Sequence, residues 1–191
     1  MNIGNLQPDE LPPSSRDVSD VPSLSDIPPE SSRWNWRGPY DRLIFLASGR
    51  QRTLSALLKA IAEHESGQNP LRVNPERAGI SESYVLGLIR AGGELPDRLN
   101  PSIGFLQIRF STARNLEPGV TAHDLLDVGM NLRVGFKLMD QLQRAGIRLE
   151  TIDAWNVGQD LEPRNLPYRD NIVRLFNGFV EDFPPDGANV V

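Results

Sequence analysis

Cysteine is absent from the 191 residues, so the chain can form no disulfide and has no thiol nucleophile. Its two histidines, His64 and His123, form no HExxH pair, and we therefore expect no zinc site and no cofactor. No G-x-S-x-G turn is present to carry a serine nucleophile. No apolar run is long enough to cross a membrane. These absences argue against thiol, zinc-dependent and serine-nucleophile chemistry.

Charge is unevenly distributed along the chain. Residues 33–191 hold equal numbers of acidic and basic side chains. The net charge of −5 therefore comes from residues 1–32, and a neutral body argues against an electrostatic nucleic-acid binder. Residues 1–32, here called the N-terminal tail, contain six prolines, seven serines and no aromatic residue, a composition typical of disorder. Either this tail is a solvated linker, or its apolar residues form one ridge of a polyproline II strand that binds a partner. Those residues recur every third position: Val18, Val21, Leu24 and Ile27.

The rest of the chain predicts a mostly α-helical fold. We expect a folded domain over residues 33–183, followed by a C-terminal tail over residues 184–191. Ser81 is a predicted N-cap, and Thr121 with Asp124 forms a predicted capping pair that starts a short helix. Residues 71–75 are predicted as loop, and residues 102–108 are too short and too glycine-broken to assign. The other predicted helices cover residues 40–47, 53–65, 81–91, 127–144, 149–157 and 169–183.

Glu65 is the first candidate catalytic residue. An apolar stripe runs along the predicted helix of residues 53–65, and Glu65 continues that stripe at its end. A carboxyl on the apolar side of a helix is costly unless it is paired or neutral, and burial favours its protonated form. A protonated carboxyl near neutral pH is what general acid catalysis requires. The stripe consists of Leu54, Leu57, Leu58 and Ile61.

Five short motifs, in order along residues 54–177, resemble the soluble lytic transglycosylases, which share the lysozyme-like fold. Glu65-Ser66-Gly67 resembles the Glu-Ser motif of that family, and Ser102-Ile-Gly104-Phe-Leu-Gln107 its Gly-Leu-Met-Gln motif. The remaining three matches are Asn131-Leu132-x-x-Gly135, Ala154-Trp155-Asn156-Val157-Gly158 and Pro167-Tyr168. The resemblance implies a lysozyme-like helical domain that cleaves peptidoglycan glycan strands at the MurNAc-GlcNAc bond.

The resemblance also implies a single-carboxylate mechanism. Glu65 would protonate the leaving oxygen, and the 2-acetamido group of the substrate would replace the second carboxylate that most glycosidases use. Glu65 would then take the proton of the C6 hydroxyl, which closes a 1,6-anhydro ring. The residues implied to bind substrate are Ser66, Ser102, Gly104, Gln107, Trp155, Asn156 and Tyr168.

Two departures from the family pattern leave other functions possible. Trp155 stands where the family has Tyr, which replaces a hydroxyl with an N–H donor. The segment of residues 76–100, here called the insertion, is longer than usual in the family and brings Glu82, Glu94 and Asp97. A carboxylate from the insertion would allow hydrolysis by water, as in lysozymes. A third reading is an inactive structural or plug protein that kept the fold.

The N-terminus lacks a Sec-type signal, so we expect a protein that is made in the cytoplasm and delivered to the periplasm by another route. The two routes considered are a phage particle and a bacterial secretion machine, with the N-terminal tail bound to a protein of either. We favour a phage tail protein that opens the host wall during genome entry. A free endolysin is the weaker reading, because no wall-binding module is evident.

Overall fold

The structure, a computed structural model, describes residues 34–96, 98–144, 152, 155 and 165–188. Within this part the fold is mostly α-helical, as predicted, and it includes a small antiparallel sheet. In chain order the elements are α1 (Asp41–Ala47), α2 (Arg52–Ser66), β1 (Val73–Asn74), α3 (Glu82–Arg90), β2 (Ser102–Ile103), β3 (Ile108–Arg109), α4 (Phe110–Leu116), α5 (Val128–Arg144) and α6 (Leu166–Phe179). Short 3₁₀ turns at Asp124–Leu126 and Val180–Asp182 precede α5 and follow α6.

Helix α2 lies at the centre of the core and packs against α6 and α1. Its apolar stripe is almost completely removed from water, with Leu57 and Ile61 at most 1% exposed. The helix ends at Gly67, whose φ of 62° is the left-handed conformation that a C-terminal glycine commonly supplies. The buried stripe fixes the rotation of α2, and so it fixes the direction in which Glu65 points.

The sheet connects residues that are far apart in sequence. β1 pairs with β2 through Val73 and Ile103, and β2 pairs with β3 through Ser102 and Arg109, both antiparallel. The prediction of loop over residues 71–75 is therefore wrong at Val73–Asn74. A two-residue strand shows too few positions for a period of two to be recognised.

Asn131 on α5 holds the turn between β2 and β3. Its side-chain amide donates to the carbonyls of Ile103 (3.0 Å) and Leu125 (2.9 Å), and its Oδ1 accepts from the N–H of Leu106 (2.8 Å). Asn131 is fully buried, so these bonds satisfy polar groups that water cannot reach. Gly104 lies against this amide with φ of 80°, and a Cβ there would come within 2.2 Å of the Leu125 carbonyl. Only glycine fits this position.

A buried ion cluster ties both ends of the described domain to α2. The ammonium of Lys59 lies 2.8 Å from a carboxylate oxygen of Asp41 and 2.8 Å from one of Asp182. Trp34 donates its indole N–H to the Asp182 carbonyl (3.0 Å). Because Lys59 is only 3% exposed, its ammonium depends on these carboxylates for compensation of its charge in the core.

Helix boundaries follow local capping chemistry. Ser81 accepts from the N–H of Tyr84, which confirms that predicted cap. Thr121 and Asp124 exchange side-chain to backbone bonds as predicted, but the 3₁₀ turn that follows begins at Asp124, with His123 as its N-cap. Helix α6 begins at Leu166, three residues before the predicted start, because Asn165 caps the N–H of Tyr168. The predicted helix over residues 149–157 lies outside the described residues apart from Ile152 and Trp155, and the N-terminal tail lies wholly outside them.

Candidate active site

Glu65 sits in the last turn of α2, half-buried, and receives a hydrogen bond from α6. The hydroxyl of Tyr168 donates to Glu65 Oε1 at 2.7 Å. Tyr168 is 3% exposed, so the bond forms largely out of water and is stronger than a surface contact. The two residues that the sequence singled out 103 positions apart therefore meet in the fold.

Burial raises the pKa of Glu65 from about 4.5 to about 7. Two smaller effects act in opposite directions: the Tyr168 hydrogen bond lowers this pKa, and the negative charge of Glu76 raises it. Burial, with the neighbouring Glu65 charge, raises the pKa of Tyr168 well above its ordinary value, so Tyr168 stays a hydroxyl donor. Near neutral pH the carboxyl of Glu65 is consequently shared between its acid and base forms, which suits a group that must give and then take a proton.

His64 packs against the ring of Tyr168. The two rings meet edge to face with centroids 4.7 Å apart. The amide of Asn171 contacts His64 Nδ1, and Arg174 donates to Asn171 Oδ1 at 2.6 Å. Since the Asn171 oxygen faces Arg174, its NH₂ group faces His64, which makes Nδ1 the acceptor and His64 neutral. Partial burial lowers the pKa of His64, in agreement with this neutral form.

Ser66 and Gln107, two predicted substrate-binding residues, are bonded to backbone. Ser66 is buried and donates to the carbonyls of Phe105 (2.7 Å) and Ala62 (3.0 Å). The amide nitrogen of Gln107 donates to the carbonyls of Arg72 and Gly104, both at 2.9 Å. The Ser66 side chain therefore fastens the β2–β3 turn to the end of α2, and the Gln107 side chain fastens the same turn to Arg72, just before β1. Gly104 lies in the same turn, where its positive φ and the proximity of Asn131 explain the glycine without a ligand.

Ser102 points toward a carboxylate that the sequence did not single out. Its hydroxyl donates to Glu76 Oε1 at 2.7 Å, and the guanidinium of Arg109 lies 3.7 Å from Glu76 Oε2. Among the acidic residues of the insertion, Glu82 accepts from the N–H of Val73. Glu94 is exposed, and Asp97 lies outside the described residues.

Trp155 is half-buried, and its ring lies near Gly135, where a Cβ would be 3.6 Å away. Asn156 lies outside the described residues. The substrate roles of these two residues stay predictions.

Two residues of the site were missed as candidates. Asn131 was seen as part of a motif but given no role, and nothing in its local sequence shows that three backbone groups converge on it. Glu76 follows Asn74-Pro75, and the Asn74 side chain accepts from the Glu76 N–H at 3.1 Å. Asn in such a turn was the available sign that Glu76 is held in place.

Among the described residues, no helix is long and apolar enough to cross a bilayer, and no cluster of three or more His, Asp or Glu could hold a metal ion. Comparison with protein families matches residues 42–169 to the transglycosylase SLT domain, which covers more than half of the chain. No curated protein and no solved structure matches.

Proposed function

The chain belongs to the transglycosylase SLT domain family, which indicates lytic transglycosylase activity on peptidoglycan, and from this premise we propose that Glu65 is its acid and base and that the product is a 1,6-anhydro sugar. The observation that carries the proposal is the Glu65–Tyr168 pair: a carboxyl whose pKa burial raises to about 7, bonded to a buried hydroxyl. Such a carboxyl holds a proton near neutral pH, yet remains basic enough to take one back.

Because of the hydrogen bond from Tyr168, the two carboxyl oxygens of Glu65 would have different roles in the reaction. Tyr168 donates to Oε1, so the acid form carries its proton on Oε2. Oε2 then protonates the glycosidic oxygen, which leaves with the GlcNAc unit, while the 2-acetamido oxygen of MurNAc closes on C1. In the second step the Glu65 carboxylate removes the proton from the C6 hydroxyl, O6 bonds to C1, and the acetamido group is released. Glu65 ends protonated, and no water is consumed.

Digestion of purified Gram-negative sacculi tests this chemistry. Glu65→Gln removes the acid but keeps an acceptor for Tyr168, so we expect cleavage to fall by about 10²–10⁴-fold. Glu63→Gln is the matched control: Glu63 lies on the same helix and bonds Gln68 (2.7 Å) instead of Tyr168. Mass spectrometry should show products one water lighter than hydrolysis products. Equal digestion by wild type and Glu65→Gln would contradict the proposal.

The pH profile gives a second readout of the same group. The first step needs protonated Glu65, whose pKa is about 7. We therefore expect the rate of cleavage to decline above pH ~7, by about tenfold per unit once the acid form is a minority. A rate that stays constant to pH 9 would show that another group supplies the proton.

We further propose that a phage particle carries this protein in its tail, and that it acts in the host periplasm during genome entry. Support comes from the N-terminal tail, an acidic segment rich in Pro and Ser that precedes the matched domain and suits an anchor to a virion protein. Mass spectrometry of purified particles tests the proposal. Detection of the protein in lysates alone, and never in particles, would overturn it.

A further inference from the structure

All three strands of the sheet contribute to the environment of Glu76. Glu76 follows β1 in a turn held by Asn74, Ser102 of β2 donates to its Oε1 at 2.7 Å, and Arg109 of β3 lies 3.7 Å from its Oε2. Ser102 is only 6% exposed, so its hydroxyl is a sheltered and well-positioned donor. The carboxylate is therefore oriented by the fold and does not move freely as a surface side chain would.

The backbone of Glu76 adds a second sign of constraint. Its φ is 56°, in the left-handed region that residues other than glycine rarely occupy. Such a conformation is strained and persists where the surrounding contacts impose it, often at functional sites. The backbone conformation and the contacts of the side chain together fix the position and orientation of this carboxylate.

The sheet that holds Glu76 is fastened to the end of the helix that carries Glu65. Ser66, the residue after Glu65, bonds the carbonyl of Phe105 between β2 and β3 (2.7 Å). The N–H of Gly104 donates to the carbonyl of Arg72, just before β1, at 2.8 Å. The charge of Glu76 is also felt at Glu65, where it contributes to the raised pKa. The sheet that carries Glu76 is therefore anchored next to the end of the helix that carries Glu65.

We propose that Glu76 is a second carboxylate of this site and activates water, so that the protein also hydrolyses the glycosidic bond and releases reducing ends. The inference rests on the proposed role of Glu65 as the acid. The side chain of Glu76 is 34% exposed, so water reaches it. Oε1 is engaged by Ser102, whereas the 3.7 Å contact of Oε2 with Arg109 is too long for a hydrogen bond and leaves Oε2 able to accept one from water.

The hydrolytic step balances with water as the only added reactant. Glu65 gives its proton to the glycosidic oxygen, which leaves as the O4 hydroxyl of GlcNAc. Water oxygen bonds to C1 of MurNAc, and Glu76 takes one proton from that water. The product is a hydroxyl at C1, and proton exchange with solvent returns Glu65 to its acid form and Glu76 to its carboxylate. This is the acid and base division found in glycosidases with two carboxylates.

The experiment counts new reducing ends and new anhydro ends in the same digest of sacculi, by borohydride reduction and mass spectrometry. We expect wild type to produce both kinds of end. Glu76→Gln should lower the rate of reducing-end formation by ~10²-fold and change anhydro-end formation by only about a few-fold. Glu82→Gln is the matched control, because Glu82 lies in the same insertion but bonds the Val73 backbone, and it should keep the wild-type ratio.

Ser102→Ala provides an independent variant that leaves the Glu76 carboxylate in place but removes its donor. We expect a fall in the reducing fraction that is smaller than that of Glu76→Gln, with the melting temperature recorded to exclude unfolding. Anhydro ends alone from wild type would overturn the inference and leave the proposed function standing. Reducing ends alone, lost in Glu76→Gln, would support the inference and overturn the 1,6-anhydro product. Reducing ends that survive in Glu76→Gln, or no new ends from wild type, would overturn the role of Glu76.

Discussion

Replacing Glu65 with Gln should stabilise the protein at alkaline pH and have a much smaller effect on its stability at pH 5. The folded protein holds the Glu65 proton more tightly than an unfolded chain does, because burial raises the pKa from about 4.5 to about 7. Stability from this group is fully present below pH ~4.5 and is lost as pH rises through ~7. Gln has nearly the shape of a protonated Glu and does not titrate, so the variant avoids this loss.

The size of the effect follows from the shift. About 2.5 pKa units at 1.36 kcal/mol each set an upper bound of about 3.4 kcal/mol. Glu65 is only half-buried, and water screens part of the cost, so we expect about 1–2 kcal/mol at pH 9. For a chain of this size each kcal/mol moves the melting temperature by about 2–4 °C. The variant should therefore melt about 2–8 °C above wild type at pH 9.

Urea unfolding at intervals from pH 5 to pH 9 measures the difference in free energy of unfolding between wild type and Glu65→Gln. Glu63→Gln is the control on the same helix. Between pH 4.5 and 7 the wild-type free energy of unfolding should fall, relative to Glu65→Gln, with a slope of at most ~1.4 kcal/mol per unit. Above pH ~7.5 the difference should be constant. A difference that does not depend on pH, or a variant less stable than wild type at pH 9, would refute the assignment of the buried acid.

Two further substitutions test the frame of the site. Lys59→Met should lower the free energy of unfolding by about 3–5 kcal/mol, because it leaves the buried Asp41 without the Lys59 ammonium and leaves Asp182 with only the exposed Arg37, 3.1 Å away. A loss under ~1 kcal/mol in urea unfolding would contradict this. Gly104→Ala should be far more destabilising than Gly79→Ala, although both glycines have φ near 80°. The reason is steric: a Cβ at Gly104 would lie 2.2 Å from a backbone carbonyl oxygen, whereas a Cβ at Gly79 would have no atom within 4 Å. Equal melting temperatures for the two variants would show that steric overlap is not what requires Gly104.

The elements that could be predicted from the sequence are those with a visible period or cap. Helix α2 carries four apolar residues at helical spacing and α3 begins at a serine cap, and both appear close to their predicted bounds. The start of α6 was missed although its signals were present: Asn165 as a cap and Pro167 in the first turn. The sheet could not be predicted, because its strands are two residues long and the pairing of β1 with β2 joins residues about 30 positions apart.

The candidate site, like the fold, has features that the sequence predicts and features that it does not. The position of Glu65 on the apolar stripe indicated a carboxyl with a raised pKa, and the structure accounts for that rise by burial. The meeting of Glu65 and Tyr168, 103 residues apart, was accessible only through resemblance to a family. The contact of Ser102 with Glu76 spans 26 residues and joins two segments with no shared pattern, so no local signal could reveal it.

The polar residues of the motifs explain why the carboxyls keep their geometry. Ser66, Gln107 and Asn131 donate to or accept from backbone groups of the strands and the turn between them, and Ser66 and Asn131 are buried. A buried polar network whose members are satisfied rigidifies its surroundings, whereas a network that loses one member leaves unpaired groups behind. Ser66 holds the β2–β3 turn against the end of α2, Asn131 holds it against α5, and Gln107 holds it against the segment before β1. The network therefore fixes where the turn and the sheet lie relative to Glu65, and under the two mechanisms proposed above the balance between ring closure and attack by water depends on that position.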